Sequence, residues 1–527
     1  MDGDGGRPAG AGSDAGAATA PAVGGAAVPG GARPGGGLPA RGAGDRPADR
    51  TGRRWAADRP GRQALPDEHP GGGGAGVHGR PGLAGRRAGR RRGGRVTPVG
   101  RAAPAARLSR RTLLRATAAL TATAGAGCAA TPPAVQVAVV WSGGELARFR
   151  EVVGNYGADV QVISAGNDID AFLRARQLAG TSPDVAILPR SGLVVEYARR
   201  GWLRELTPAT SYALPPGMAD LLSADGRRYG VWVKAAHKSL FWYFPSMLPA
   251  PPRTWDQLVT LTRRLGARAR SGDGPAPLAV GAADGWVLTD WFENVLADVA
   301  PPGHYEALAR GEADWRSPSV HTALDRLAEL WGVDGAFPGG GRRALLTQYE
   351  ESVIQVVHHR RATMLFEADF VDDVSRRFRR GPEQPETFRF PGARVADGPL
   401  IVGGDAAVAF AGSARGAELV RWLSGGSAFQ PWLRAGGYLS PNVSVPLGDY
   451  RDPVRRRLAA ELRTAEAVRF DLSDRLPGPF TGSDGVGIWR IMQDFFADVT
   501  DGVPAGRATR RAVGQLAAAA RSAGGGR

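Results

Sequence analysis

The sequence predicts an α/β fold in two lobes, and three observations lead there. From Val135 onward, short apolar strands alternate with amphipathic helices. That alternation implies a largely parallel sheet covered by helices on both faces. The apolar patterning continues for about 400 residues, more than one core usually holds, so it is expected to divide into two. The Gly and Pro excess is concentrated elsewhere: residues 1–107 hold 29 Gly and 12 Pro. A stretch of that composition buries too little apolar surface to offset its ordering entropy, and disorder is expected there.

The elements follow in order. Residues 135–141, VQVAVVW, read as a buried strand of β-branched residues, running through Ser142-Gly143-Gly144-Glu145 into a helix. Strands at 159–164 and 184–189 follow, each with a helix behind it, closed by Gly180 and Gly201. Asp225-Gly226 marks a tight turn, and 239–244 a further strand. Helices are expected at 255–265, 285–299 and 318–333, strands at 361–370 and 399–410, and helices at 452–467, 486–498 and 507–523.

Net charge is +16, which would suggest nucleic acid. Residues 1–107 alone contribute +10, with 18 Arg against 8 acidic residues, whereas 128–527 carry only +3. The basicity belongs to the leader, and no nucleic-acid partner is expected. After the leader, Ser109-Arg110-Arg111-Thr112-Leu113-Leu114-Arg115 precedes about a dozen mildly apolar residues and then Cys128, the only cysteine. This resembles a twin-arginine export signal, and Gly125-Ala126-Gly127-Cys128 resembles a lipobox. The apolar run is far shorter than the ~20 residues that span a bilayer. Residues 108–128 are therefore expected to be a signal with Cys128 as the lipidated residue. The position of this signal points to a translation start near Val96 or Val99.

Five segments, at 184–206, 225–231, 238–244, 252–258 and 403–410, taken together and in this order, resemble the bacterial extracellular solute-binding proteins of carbohydrate ABC transporters, the group that includes maltose-binding protein. Pro252-Arg253-Thr254-Trp255-Asp256-Gln257-Leu258 is similar to the family's P-x-T-W-[DE]-x-L helix start. Its physics is local: Thr254 is a good N-cap, Trp255 an apolar anchor, and Asp256 suits the positive helix end. Asp225–Val231 resembles the D-G-x-x-Y-G-[VI] turn, with Trp232 where proline is usual. KSLFWYF, GGDAAVAF and DVAILPRSGLVVEYARRGWLREL add a crossing strand, a return strand and an α-glucoside-type segment.

The resemblance implies a type II periplasmic-binding-protein-like fold with a hinge and an inter-lobe cleft. Lobe 1 is expected over 134–238 and 400–448, lobe 2 over 239–399 and 449–515, and a flexible tail over 516–527. It implies a monomer with no catalytic activity that binds a carbohydrate ligand and docks on ABC permease subunits. The membrane is reached only through the lipid anchor, and no cofactor is implied.

Sugar recognition needs flat aromatic faces for the pyranose C–H surface and planar polar groups for its hydroxyls. Trp489, in GIWRIMQDFF, falls where maltose-type members place a stacking aromatic, although its neighbours also suit helix core. Trp286 and Trp291 flank Asp290; five residues apart on a helix, one is expected at the cleft and the other in the core, with Asp290 as a hydroxyl partner. Phe366, Glu367 and Asp369 sit where a strand feeds the cleft, or form a solvated acidic loop. Lys234 and Lys238 are the only lysines in the chain. A compact ammonium is needed where the guanidinium fork does not fit, and Lys238 at the lobe crossing is the stronger candidate. Asp405 follows Gly403-Gly404, which permit a close approach. Ser142 and Gly143 lie at the carboxyl end of the first strand, where ligands of open sheets bind. Arg174, Arg176 and Asp471 are further hydroxyl partners. Adjacent His358-His359 do not converge, and no metal site is expected.

Two other functions fit the composition. A secreted glycoside hydrolase needs two carboxylates flanking one bond, and no such pair stands out. A binding protein that feeds a sensor instead of a permease is indistinguishable at this level.

Overall fold

The structure is a computed structural model in which residues 133–392, 399–465, 468–482 and 486–524 are described. The leader, the signal and Cys128 lie outside the described residues. No described helix is long and apolar enough to cross a membrane.

Lobe 1 opens with β1 (Val135–Val139), α1 (Gly143–Val153), β2 (Val160–Ser164), α2 (Ile169–Leu178), β3 (Val185–Leu188) and α3 (Ser191–Arg199). All four residues of β3 are buried, as expected of a strand covered on both faces. β1 pairs in parallel with β2 on one side and with β3 on the other. β4 (Val231–His237) completes the outward path.

The chain then crosses. Lobe 2 holds β5 (Leu240–Tyr243), α4 (Trp255–Arg270), β6 (Ala276–Ala279), α5 (Gly285–Val299), α6 (Pro318–Trp331) and α7 (Tyr349–Val357). It continues with β7 (Ala362–Phe366), α8 (Val371–Phe378) and β8 (Glu386–Arg389). Its sheet has the order β8-β5-β7-β6. At the start of α4 the Thr254 hydroxyl accepts the Gln257 N–H, and Trp255 is buried beneath it. Such a cap stabilises a helix by about 1 kcal/mol.

β9 (Leu400–Ala409) carries the chain back into the first sheet. It enters from the lobe 2 side and so runs antiparallel to β3 and β4, which makes the expected parallel sheet a mixed one. α9 (Ala414–Leu423), α10 (Gln430–Ala435) and α11 (Pro453–Thr464) follow, and β10 (Val468–Phe470) pairs in parallel with the first residues of β9. β10 therefore belongs to the lobe 1 sheet and not to lobe 2, which is expected from sequence to take all of 449–515. α12 (Ile488–Thr500) and α13 (Ala505–Gly524) pack on α5 and α6 in lobe 2. The tail expected from 516 is helix to Gly524, held by buried Leu516 and Ala517.

The two crossings are tied together. Lys238 N–H donates to Ile401 O, and the Ser239 hydroxyl donates to Asn294 Oδ1 while accepting the Ile401 N–H. Gly403 and Gly404 explain themselves here. A Cβ at Gly403 would lie 2.8 Å from Lys238 Cε, and one at Gly404 would lie 2.4 Å from Lys234 O. A register shift between Asp405 and Ala406 re-aims the strand at the same place.

Candidate functional site

Between the lobes lies a cavity of about 180 Å³, room for about six waters at about 30 Å³ each. It opens at the carboxyl ends of β1 and β3, where Trp141-Ser142 and Pro189-Arg190 emerge. This is the position that an open α/β sheet favours for a ligand. Two other hollows flank α10, one of about 10 Å³ and one of about 540 Å³ between α8 and α11. Neither stands at those strand ends.

The cavity has two unlike walls. Lobe 2 supplies Trp286, Tyr349, Phe370 and Trp489. The first three form a cluster, with ring centroids 5.6–5.8 Å apart. The first turns of α12 and α5 touch at Trp489 and Gly285. Gly285 has no room for a side chain there, since a Cβ would lie 2.7 Å from that of Trp489. Lobe 1 supplies Glu145, Asp170, Arg190, Lys234 and Asp405. Lys234 Nζ donates to Glu145 Oε1 at 2.5 Å, and Trp141 Nε1 donates to Asp405 Oδ2 at 2.9 Å. Burial raises both Glu145 and Asp405 despite the ammonium. Burial also pulls Lys234 down, but Glu145, Asp405 and Asp369 outweigh it and hold the lysine charged.

Lys238 stands at the crossing among carboxylates. Its Nζ lies 3.3 Å from Asp290 Oδ1 and 3.4 Å from Asp474 Oδ2, and it contacts Asp471 more closely still. Burial opposes its charge, and the surrounding carboxylates hold it well above the ordinary lysine value. Burial pushes Asp290 and Glu293 well up. Asp474 is raised to about 7 by burial and by Asp471 beside it. Asp471 alone is held low: burial is overcome by the Lys238 ammonium. Asp290, Glu293 and Asp471 approach one another closely enough for a metal ion. Lys238 already answers two of these carboxylates, however, and Glu293 accepts the N–H groups of Leu472 and Ser473. A cation would have to displace the ammonium.

The structure thus brings Trp489, Trp286, Lys238, Asp405 and Ser142 to one cavity and places the other candidates elsewhere. Trp291 is fully buried in the lobe 2 core, 4.7 Å from Phe366 and 5.3 Å from Phe241. Asp290 is turned from the cavity onto Lys238. Glu367 is buried, with Oε1 unpartnered among the described residues, and burial raises it strongly. Asp369 accepts the His237 N–H at 2.8 Å and Arg455 Nη1 at 3.0 Å. Gly143, at φ +50°, turns the chain into α1 and is not at the cavity wall. Arg174 bonds to the wall residue Asp170 and Arg176 to Gln136, but neither arginine itself lines the cavity.

Sequence reasoning overlooked Trp141, Glu145, Asp170, Arg190, Tyr349, Phe370 and Asp474 as wall residues. The strand-end rule that singled out Ser142 applies equally to Trp141 and Arg190. Phe370 closes the same segment as Phe366, Glu367 and Asp369, where a strand feeds the cleft, whereas Tyr349, the first residue of α7, carries no such signal.

Residues 143–333 match the family described as bacterial extracellular solute-binding protein. The osmoprotective compounds-binding protein GgtB of Synechocystis sp. is 30% identical over 374 residues, covering 66% of this chain and 84% of that protein. The alpha-glucosides-binding periplasmic protein AglE of Rhizobium meliloti is 26% identical, covering 69% of this chain and 84% of that protein. Among solved structures, the bacterial solute receptor AcbH, with a stated preference for β-D-galactopyranose, superposes with a TM-score of 0.60 at 16% identity. It covers 72% of this chain and 97% of that one, a likeness of fold.

Proposed function

We propose, since this chain belongs to the bacterial extracellular solute-binding proteins, that it captures a sugar or small glycoside between its lobes and hands it to the permease of an ABC importer. The observation that carries this reading is the two-walled cavity at the hinge. An aromatic wall on lobe 2 faces an ionic wall on lobe 1, the pairing that a pyranose ring with its apolar face and ring of hydroxyls requires. Trp489 and Trp286 stack on the ring, and Lys238, Asp405 and Ser142 take hydroxyls. Closure is a hinge motion about the tied crossings, and Cys128 carries the lipid that keeps the protein at the membrane.

Several hydrogen bonds, each net about 0.5–1.5 kcal/mol, together with one or two stacked rings reach the ~8 kcal/mol of a micromolar complex after ordering costs. The name of one relative, for alpha-glucosides, supports a glycoside, and a cavity with room for about six waters favours a small one over a long chain. Titration calorimetry of the full chain against mono-, di- and trisaccharides tests the reading. Micromolar binding with the sugar recovered intact supports it. Cleaved sugar, or no binding across the panel, overturns it.

A further inference from the structure

One buried cation in the cleft lacks a carboxylate of its own. Arg190 leaves the end of β3 and lines the cavity with its side chain only 4% exposed. Its nearest carboxylate, Asp170, lies 3.7 Å from Nη2. That carboxylate is already engaged by Arg174 Nε at 2.6 Å and by the Tyr197 hydroxyl at 2.6 Å. Arg174 also holds Glu196, at 2.7 Å, and Arg200 reaches the same glutamate at 2.8 Å. The network therefore sets three guanidinium groups against two carboxylates.

Arg190 Nη1 is buried with no hydrogen-bond partner among the described residues, and Trp489 Nε1 shares that condition. The guanidinium lies 5.5 Å from the Trp489 ring centroid, across the cleft. Burial pulls this arginine below its ordinary value despite Asp170 and Asp474. Both unmatched groups are donors only. The carboxylates of the cavity wall, by contrast, all have partners: Glu145 has Lys234, Asp405 has Trp141, Asp170 has Arg174, and Asp474 has Lys238.

We propose that Arg190 determines specificity by receiving a carboxylate of the ligand, so that the cleft favours an acidic glycoside over its neutral counterpart. This deepens the reading above and rests on it. Such a ligand lays its pyranose ring against Trp286 or Trp489 and turns the carboxylate to Arg190, whose planar fork suits that group. The carboxylate comes from one of two sources, an oxidised C6 (a uronoside) or an acidic aglycone.

Two matched pairs of probes separate the sources: methyl glucoside against methyl glucuronoside, and the glucoside of glycerol against that of glyceric acid. Titration calorimetry of the full chain at low salt is expected to show one acidic member binding about tenfold tighter than its neutral partner. That is the difference between a charge-assisted and a neutral hydrogen bond. The preference falls with added salt. Arg190→Gln brings the ratio to within threefold of one, and Arg190→Lys retains part of it. If sugars bind but neither pair shows a preference in the unsubstituted protein, the inference fails while the proposed function stands. If Arg190→Gln weakens both members of a pair equally, Arg190 is a general donor and the inference fails. Should Arg190→Gln not fold, the unsubstituted ratio and Arg190→Lys still decide. Absence of binding by any sugar defeats the proposed function itself.

Discussion

Lys238→Met removes the one ammonium that answers three carboxylates, while keeping the length of the stem. In the structure Nζ lies 3.3 Å from Asp290 and 3.4 Å from Asp474, and it contacts Asp471. Breaking a buried pair by deleting one partner costs about 3–5 kcal/mol, because the remaining charge has nothing to replace it. The carboxylates can limit that loss by taking up protons. Asp290, Glu293 and Asp474 are raised by burial even with the lysine present, so they protonate readily. Asp471 is held low mainly by the lysine, so it is the group that loses most. The cost is therefore largest at pH 8 and smaller at pH 5. In thermal unfolding followed by tryptophan fluorescence, the expected drop at pH 8 is roughly 5–10 °C, allowing for the size of the chain. At pH 5 it should be about half that. A variant that melts within 1 °C of the parent at pH 8, or loses as much at pH 5 as at pH 8, would refute the argument that this lysine holds the cluster together.

The remaining expectations are shorter. Trp489→Ala weakens sugar binding tenfold or more by calorimetry. Trp291→Ala instead destabilises the fold by about 3–5 kcal/mol as a buried aromatic truncation, measured by urea unfolding, with ligand affinity of the folded protein within threefold of the parent. Asp474 binds its proton more tightly folded than unfolded, so it contributes stability below its unfolded pKa that is lost as pH rises toward about 7. Asp474→Asn should flatten the melting temperature between pH 5 and 8. Cys128→Ser should move the protein from the membrane to the soluble fraction on cell fractionation.

How much of this was legible in the sequence differs by kind of information. α5 was readable to the residue, because a long apolar stripe with Gly285 at its start repeats at helical spacing. α4 was readable from its cap, and β1, β3 and β9 from runs of buried β-branched residues. The direction of β9 was not. Strand direction depends on which lobe the chain returns from, and no local propensity encodes that. β10 is three half-buried residues whose pairing with β9 comes entirely from tertiary contact.

The cleft shows the same division at the level of single side chains. Composition singled out both lysines, and both line the cavity. The difference between a wall residue and a supporting one is a matter of one turn or one register step. Trp286 and Trp291 lie on the same helix, yet one meets Tyr349 and Phe370 while the other is sealed among Phe241, Phe366 and Phe390. Asp290 and Asp474 touch the same ammonium, yet only Asp474 reaches the cavity. Buried charges must be answered before a ligand arrives, so most acidic candidates near the hinge are used to neutralise Lys234 and Lys238. One buried group in the cleft is left short by that network. Arg190 is that group because Arg174 reaches Asp170 first, a competition between residues sixteen positions apart on α2 and at the end of β3. On the proposed reading, the polar specificity of the cleft follows from which ion pairs close within lobe 1, and the aromatic wall of lobe 2 supplies the part of the affinity that is indifferent to that outcome.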